Sequence, residues 1–336
     1  LTDRRSGAFK RFPIGLGLFL LILVAGTGGA LWQLDRLWHQ AGPLDSELVV
    51  ELPRGAGIVA IADQLAARKI IPSSYIFLAG LVWDNGSRNL RAGEYAFPAH
   101  ISMADLAALL RSGRVVQHRL TIPEGWTVVE IMEAVQSADF LSGPLPDPVP
   151  NEGTLRPDTY FAEKGADRRA LIARMAQAQS ALVADVIAHR PAGTPPPDPH
   201  KLVVLASIVE RESALAEERP VIAGVFTRRL ERNMRLQSDP TVIYGLSGRR
   251  GSLDRDLTRD DLKSPSPWNT YVIDGLPSTP ICNPGLSALQ AAVAPTQGDV
   301  LYFVANGDGG HQFAATLADH NHNVARWREK SRKSEP

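Results

Sequence analysis

No charged residue occurs between Phe12 and Leu34. Read as an α-helix at ~1.5 Å per residue, this run reaches roughly 34 Å, enough to cross the hydrocarbon core of a bilayer. Such a segment decides where everything after it must fold. Arg4, Arg5, Lys10 and Arg11 precede the run and only Asp3 opposes them. Positive charge stays on the cytoplasmic face. Residues 1–11 are therefore expected as a cytoplasmic tail, residues 12–34 as a single-pass anchor in the inner (cytoplasmic) membrane, and the remainder as exported. Thr27-Gly28-Gly29-Ala30 offers a competing reading, the cleavage region of a signal peptide. The apolar run continues past it through Leu31 and Trp32, and Trp32 and Trp38 suit the outer interface, which favours an uncleaved anchor.

The exported part is long enough for two domains of ordinary size. Lys+Arg and Asp+Glu balance at 36 each. That balance lacks the basic excess of a nucleic-acid binder, so no nucleic-acid partner is expected. The single cysteine, Cys282, excludes an intramolecular disulfide and a cysteine-cluster zinc site. Apolar residues, at 44%, suffice for a packed core.

A short repeat organises the first half. Residues 51–65, ELPRGAGIVAIADQL, align with 121–135, TIPEGWTVVEIMEAV, and a weaker copy begins at Phe97. Each copy reads as a strand, a Pro/Gly turn and an amphipathic helix. Thr127 with Glu130 forms a capping box, Ser102 with Asp105 acts likewise, and Gly113 suits a helix end. Two proline-rich stretches, 143–150 and 191–199, interrupt the pattern, since proline continues neither a helix nor an inner strand. Asp198 and Pro199 then read as N-cap and first residue of a helix, HKLVVLASIVERESA, that is apolar almost all round and must be central. Residues 301–305 read as a buried strand, 306–310 as a tight turn, and 319–323 as a helix start. Mixed, non-alternating elements of this sort predict α+β.

Three constellations could carry chemistry. At 100° per residue, Glu212 shares a helix face with Leu205, Ile208 and Val209, whereas Glu210 shares one with Val203 and Ala206. A carboxyl ending an apolar stripe is partly desolvated, its pKa rises, and it suits general acid catalysis; the plain alternative is a helix-end salt bridge with Arg211 or Arg219. Gln237, Ser238, Asp239, Thr241 and Tyr244 crowd hydrogen-bonding groups beside Pro240, suited to sugar hydroxyls and acetamido groups, or to a polar turn before a short strand. Trp268, Asn269, Thr270 and Tyr271 set aromatic faces beside polar groups, as saccharide sites do and as ordinary loop anchors also do. His311, His320 and His322 invite a metal reading, but the last two lie in the helix start, so no metal is expected. Neither a phosphate-binding glycine loop nor a G-x-S-x-G elbow occurs.

Together these segments resemble the YceG-like family of membrane-bound endolytic murein transglycosylases. The resemblance begins near Glu51 and is densest from Lys201 to Trp327. It rests on NEGTLRPDTY (151–160), ASIVERES (206–213), VFTRRLERNMRLQSDPTVIYG (225–245), SPWNTYVIDGLP (266–277), NPGLSALQAAVAP (283–295) and LYFVANGDGGHQFAATLADHN (301–321). The proline-rich insert before the apolar helix departs from the family pattern.

The resemblance implies a LysM-like peptidoglycan-binding domain over 45–118 and a mixed α+β catalytic domain over 119–331. It implies Glu212, the glutamate followed by serine, as the single acid/base. It implies substrate contacts from Ser213, Gln237, Ser238, Asp239, Tyr244, Asn269 and Tyr271, with no cofactor. It further implies peptidoglycan glycan strands as substrate, cut without water to 1,6-anhydro ends, and peptidoglycan synthases (penicillin-binding proteins) as membrane partners. A hydrolase on the same strands and a non-catalytic wall-binding scaffold remain the alternatives.

Overall fold

The computed structural model describes residues 14–84 and 90–334, arranged as two compact units that divide between Gln117 and His118. The expected tail and the first residues of the expected span lie outside the described residues.

The first unit opens with helix α1 (Ile14–His39), long and apolar enough to cross a membrane from Gly17 onward. Leu18 to Val24 are all exposed, as a helix without protein neighbours requires. The helix continues beyond Leu34, through Asp35 and Arg36, and its end is different: Trp38 is only 4% exposed. Strand β1 (Leu48–Leu52), helices α2 (Ile58–Ala67) and α3 (Ser74–Trp83), strand β2 (Gly93–Phe97) and helix α4 (Met103–Ser112) follow. β1 and β2 pair antiparallel with Leu48 opposite Phe97 and Leu52 opposite Gly93. Side chains alternate across a strand, so Val50, Leu52, Tyr95 and Phe97 point into one core with Leu65, Phe77, Leu81 and Leu106. Trp38 joins that core against Phe77, ring centroids 5.8 Å apart. It lies where a side chain on Gly80 would be, since a Cβ there would fall 2.1 Å from the indole.

The second unit begins with strand β3 (His118–Thr121) and helix α5 (Val128–Ser137). The sequence repeat is real at the level of backbone: Gly55 and Gly125, its aligned glycines, turn the chain at φ 80° and 79°. That left-handed region is open to glycine without steric cost. The Thr127–Glu130 capping box forms as expected, and Ser102 caps α4, which ends at Gly113 with φ 69°. Next come β4 (Leu141–Ser142), β5 (Thr159–Ala162), β6 (Ala166–Asp167) and α6 (Arg168–Ala188). β3 pairs antiparallel with β5, and β4 pairs parallel with β6.

Helix α7 (Pro199–Glu212) is the centre of the second unit. Asp198 caps it, its carboxylate accepting from Lys201 N at 2.9 Å, and every residue from Leu202 to Glu210 is buried. Helices α8 (Arg219–Glu231), α9 (Asp239–Leu246) and α10 (Leu286–Val293) pack around the same core, with Ile222, Phe226, Tyr244 and Leu289 against Leu205 and Ile208. Strands β7 (Tyr302–Ala305) and β8 (His311–Ala314) make an antiparallel hairpin backed by α11 (Leu317–Ser334). Two sequence expectations change here. Residues 302–305 are half-buried to exposed rather than fully buried, because each strand of a two-stranded ladder has only one neighbour. The segment after Asp239 is a helix rather than a short strand: Pro240 in the first turn has no N–H to satisfy and fixes a helical φ. The unit is mixed α+β, its described strands forming three two-stranded sheets.

Candidate active site

Glu212 is the last residue of α7, and there the buried helix meets a half-buried position. The salt-bridge alternative is settled by the neighbours. Arg219 Nη2 donates to Glu210 Oε1 at 2.6 Å, and Gly285 N donates to Glu210 Oε2 at 3.0 Å. Arg211 points its guanidinium at the carbonyls of Gly125 and Gly251, 3.3 and 2.5 Å away. Both basic groups are therefore used, and Glu212 makes no ion pair among the described residues. Its Oε1 accepts instead from Ser238 Oγ at 2.5 Å.

That serine is held from three directions. It is 1% exposed, its N–H donates to Thr270 Oγ1 at 2.9 Å, and its carbonyl accepts from Thr241 Oγ1 at 2.6 Å. The two threonine hydroxyls meet at 2.9 Å. Ser238 occupies the N-cap position of α9 yet makes no side-chain cap bond. A serine there usually caps its own helix; here its hydroxyl turns to Glu212. Burial lifts the Glu212 carboxyl from an ordinary 4.5 to about 7, with the Ser238 bond and Arg229 opposing and Asp239 adding to the rise. A carboxyl poised near neutrality donates a proton and takes one back at the same pH.

The other expected site residues divide into two groups. Asp239 and Tyr271 stand with the Glu212–Ser238 pair: Tyr271 Oη donates to Asp239 Oδ1 at 2.6 Å, and burial with that bond raises the phenol. Gln237 is exposed beside them at φ 51°, fixed by its N–H to Thr270 O at 3.1 Å. The second group is occupied internally. Ser213 is 3% exposed and shares its hydroxyl with Glu218 Oε2 at 3.2 Å and Leu215 N at 3.1 Å. Asn269 is fully buried, donating to the carbonyls of Leu262 and Ser264 and accepting from Tyr271 N at 2.9 Å, so it shapes the loop that carries Tyr271. Tyr244 is buried and turns its hydroxyl to Glu152.

Glu152 is the residue that reading the sequence overlooked. Its Oε2 accepts from Tyr244 Oη at 3.0 Å, and its Oε1 accepts from Val128 N at 2.9 Å and Asn283 Nδ2 at 3.1 Å. Desolvation lifts it to about 7 as well. Its only signal in the sequence was membership of the Glu-Gly element of 151–160; no periodicity marks it. The histidines do not converge. His311 Nδ1 meets Glu218 Oε2 at 2.6 Å, and His320 stacks on Tyr302. Among the described residues no group of three His, Cys, Asp or Glu side chains is placed to hold a metal ion.

A desolvated glutamate at the end of a central helix, with one buried hydroxyl donating to it, has the chemistry that general acid–base work requires. The YceG-like family model matches residues 50–326, most of the chain, and the protein belongs to that family. An endolytic murein transglycosylase of Streptococcus pneumoniae R6 is 30% identical over 94% of this chain, which spans 65% of that relative's length. An endolytic murein transglycosylase of Bacillus subtilis 168 is 29% identical, with 81% of this chain and 82% of the relative covered. The crystal structure of a yceG-like protein from Listeria monocytogenes is 30% identical, covers 83% of this chain and 99% of its own, and superimposes with a TM-score of 0.50.

Proposed function

We propose that this protein is a membrane-anchored endolytic lytic transglycosylase that cuts peptidoglycan glycan strands. The observation that carries the reading is the Glu212–Ser238 pair, a carboxyl near neutral pKa with one donor and no cation bound to it. Glu212 protonates the oxygen that links N-acetylmuramic acid to N-acetylglucosamine, and the bond to C1 breaks. The carboxylate so formed then takes the proton of the muramic 6-hydroxyl, whose oxygen closes on C1. One proton leaves Glu212 and one returns; no water is consumed, and the new end is 1,6-anhydro-muramic acid.

Hydrolysis would need a second carboxylate to activate water or to attack C1. The acidic groups nearest in role are occupied, Asp239 by Tyr271 and Glu152 by Tyr244, Val128 and Asn283. The 6-hydroxyl, carried on the reacting ring, has the intramolecular advantage, with effective molarities on the order of 10⁵ M or more. Substrate contacts fall to Gln237, Asp239 and Tyr271 around Glu212, with Ser238, Ser213 and Asn269 holding their frame. Tyr244 contacts the strand from the side of Glu152.

The same proposal places residues 1–11 in the cytoplasm and α1 across the inner membrane. It assigns the first unit, with its β1-α2-α3-β2 order and antiparallel strand pair, to LysM-like strand binding over 45–118, and the catalytic domain to 119–331. The same reading gives the protein a role in terminating strand growth beside penicillin-binding proteins. The test uses the detergent-solubilised chain on purified glycan strands in heavy-oxygen water. Fragments lighter by one water than hydrolysis products, unlabelled and resistant to borohydride, are expected. Label at a reducing muramic end would make the protein a hydrolase, and Asp239 the next residue to mutate.

A further inference from the structure

Glu152 stands where two clefts of the second unit meet. One, of about 520 Å³, is lined by Tyr244, Arg249, Trp268 and Thr279 among others. The other, of about 380 Å³, is lined by Ala176, Gln179, Val183, Ala184 and Ile187 among others. Glu152, Thr154, His200 and Pro280 belong to both walls, so the two form one trough with a polar and an aliphatic end. Glu212 lines neither.

At the polar end Arg249 is exposed and lays its guanidinium over Trp268, 5.5 Å from the ring centroid. Its neighbour Arg250 pairs with Glu133 at 2.7 Å, whereas Arg249 makes no ion pair among the described residues. The backbone holds it there at φ 71°, with its N–H donating to Tyr244 O at 3.1 Å. A guanidinium held over an indole ring still has N–H groups to donate to a carboxylate. At the aliphatic end Gln179 is 2% exposed and donates through Nε2 to Pro284 O at 3.2 Å. Its Oε1 is buried and finds no hydrogen-bond donor among the described residues. A buried amide oxygen without a donor is costly, and a ligand N–H removes that cost. Around it the walls are alanine, valine and isoleucine, which suit small aliphatic groups better than sugar hydroxyls.

We propose that this trough binds the peptide substituents of the glycan strand, with alanyl side chains against Val183 and Ile187, an amide N–H on Gln179 and a peptide carboxylate on Arg249. The proposal rests on the transglycosylase reading and specifies its substrate as strands that still carry their peptides. Glu152, held by Tyr244, Val128 and Asn283, shapes the middle of the trough.

The experiment compares one preparation of strands in two forms, peptide-bearing and stripped by an amidase, cut by the solubilised full chain below saturation. Peptide-bearing strands are expected to be cut about tenfold faster, the size of one charge-assisted contact. Two variants test the trough. Arg249→Asn removes the charge at a backbone conformation asparagine tolerates. Ala184→Trp fills the aliphatic end from an exposed helix position. Both should bring the ratio toward one and abolish calorimetric binding of a synthetic wall-type pentapeptide ending in D-alanyl-D-alanine. Equal cutting of both strand forms by the unaltered chain overturns the proposal and leaves the transglycosylase reading in place. A tenfold preference that survives in both folded variants also overturns it. Pentapeptide bound with neither strand form cut supports the trough and overturns the transglycosylase reading instead.

Discussion

Replacing Glu212 by glutamine removes one ionisable proton and little else. The amide oxygen still accepts from Ser238 Oγ, so the local frame survives, and two consequences follow. The first is catalytic: a group that must donate in one step and accept in the next is lost, and general acid–base work alone is typically worth ~10²–10⁴-fold. Cutting should fall at least about a hundredfold. The second is thermodynamic. Glu212 ionises at about 7 when folded and near 4.5 otherwise. Between those values the folded state holds a proton that the unfolded state has released, so stability declines as pH rises through the window. Above the folded pKa the full penalty is present, roughly 3 kcal/mol at about 1.4 kcal/mol per pH unit. The glutamine variant has no such slope at this position. Glu152 contributes equally to both proteins and drops out of the comparison. Urea unfolding of parent and variant at pH 4.5 and pH 8 measures the gap: it should be small at the lower pH and favour the variant by a few kcal/mol at the higher. A gap independent of pH, or a variant that still cuts at a tenth of the parent rate, refutes the assignment of Glu212 as a desolvated acid/base.

Ser238→Ala takes from Glu212 the hydrogen bond that lowers its pKa, so the alkaline limb of the pH–rate profile should move to higher pH while the rate falls about tenfold. Glu210→Ala leaves the buried Arg219 guanidinium only its longer contact with the exposed Glu124 carboxylate, and a loss of roughly 3 kcal/mol in denaturant unfolding is expected, with the folded fraction still active. Gly80→Ala forces a methyl against the Trp38 indole, so the first unit should lose roughly 1–3 kcal/mol by overpacking, with the Trp38 emission shifting toward that of exposed indole. Unchanged tryptophan emission in that last variant would mean that Trp38 is not packed against Gly80.

Local rules carried the sequence reading a long way. Helical periodicity sent Glu210 and Glu212 to different surroundings, and the structure gives one an arginine and the other a serine. Cap chemistry placed the starts of α4, α5 and α7 because it acts within four residues. The clustering of the candidate site was legible where it is built from one end of one helix and two short polar runs, at Glu212, Ser238, Asp239 and Tyr271. It was not legible where a partner comes from far along the chain. Tyr244 and Glu152 are 92 residues apart, and Asn283 and Glu152 are 131 apart, so no spacing rule joins them. Ser213 and Asn269 have the chemistry of substrate contacts, and only the fold reveals that their polar atoms are already used. The 302–305 strand was misjudged for a related reason: its apolar composition gives no count of the strands beside it.

Helix α1 does not end where its apolar run ends. Beyond Leu34 it continues to His39, and Trp38 is already part of the core of the first unit. With the apolar run in a bilayer, the four residues from Leu34 to Trp38 lift the chain only ~6 Å before packing begins. The first unit then works as a fixture rather than a float on a leash: it has no slack with which to search the wall above it. The first unit would stay close to the lipid surface, and the height of the mounting would set how far from the bilayer it can reach. A flexible glycine/serine spacer inserted after Leu34, leaving Trp38 docked, would lengthen that reach without altering a single contact to the strand.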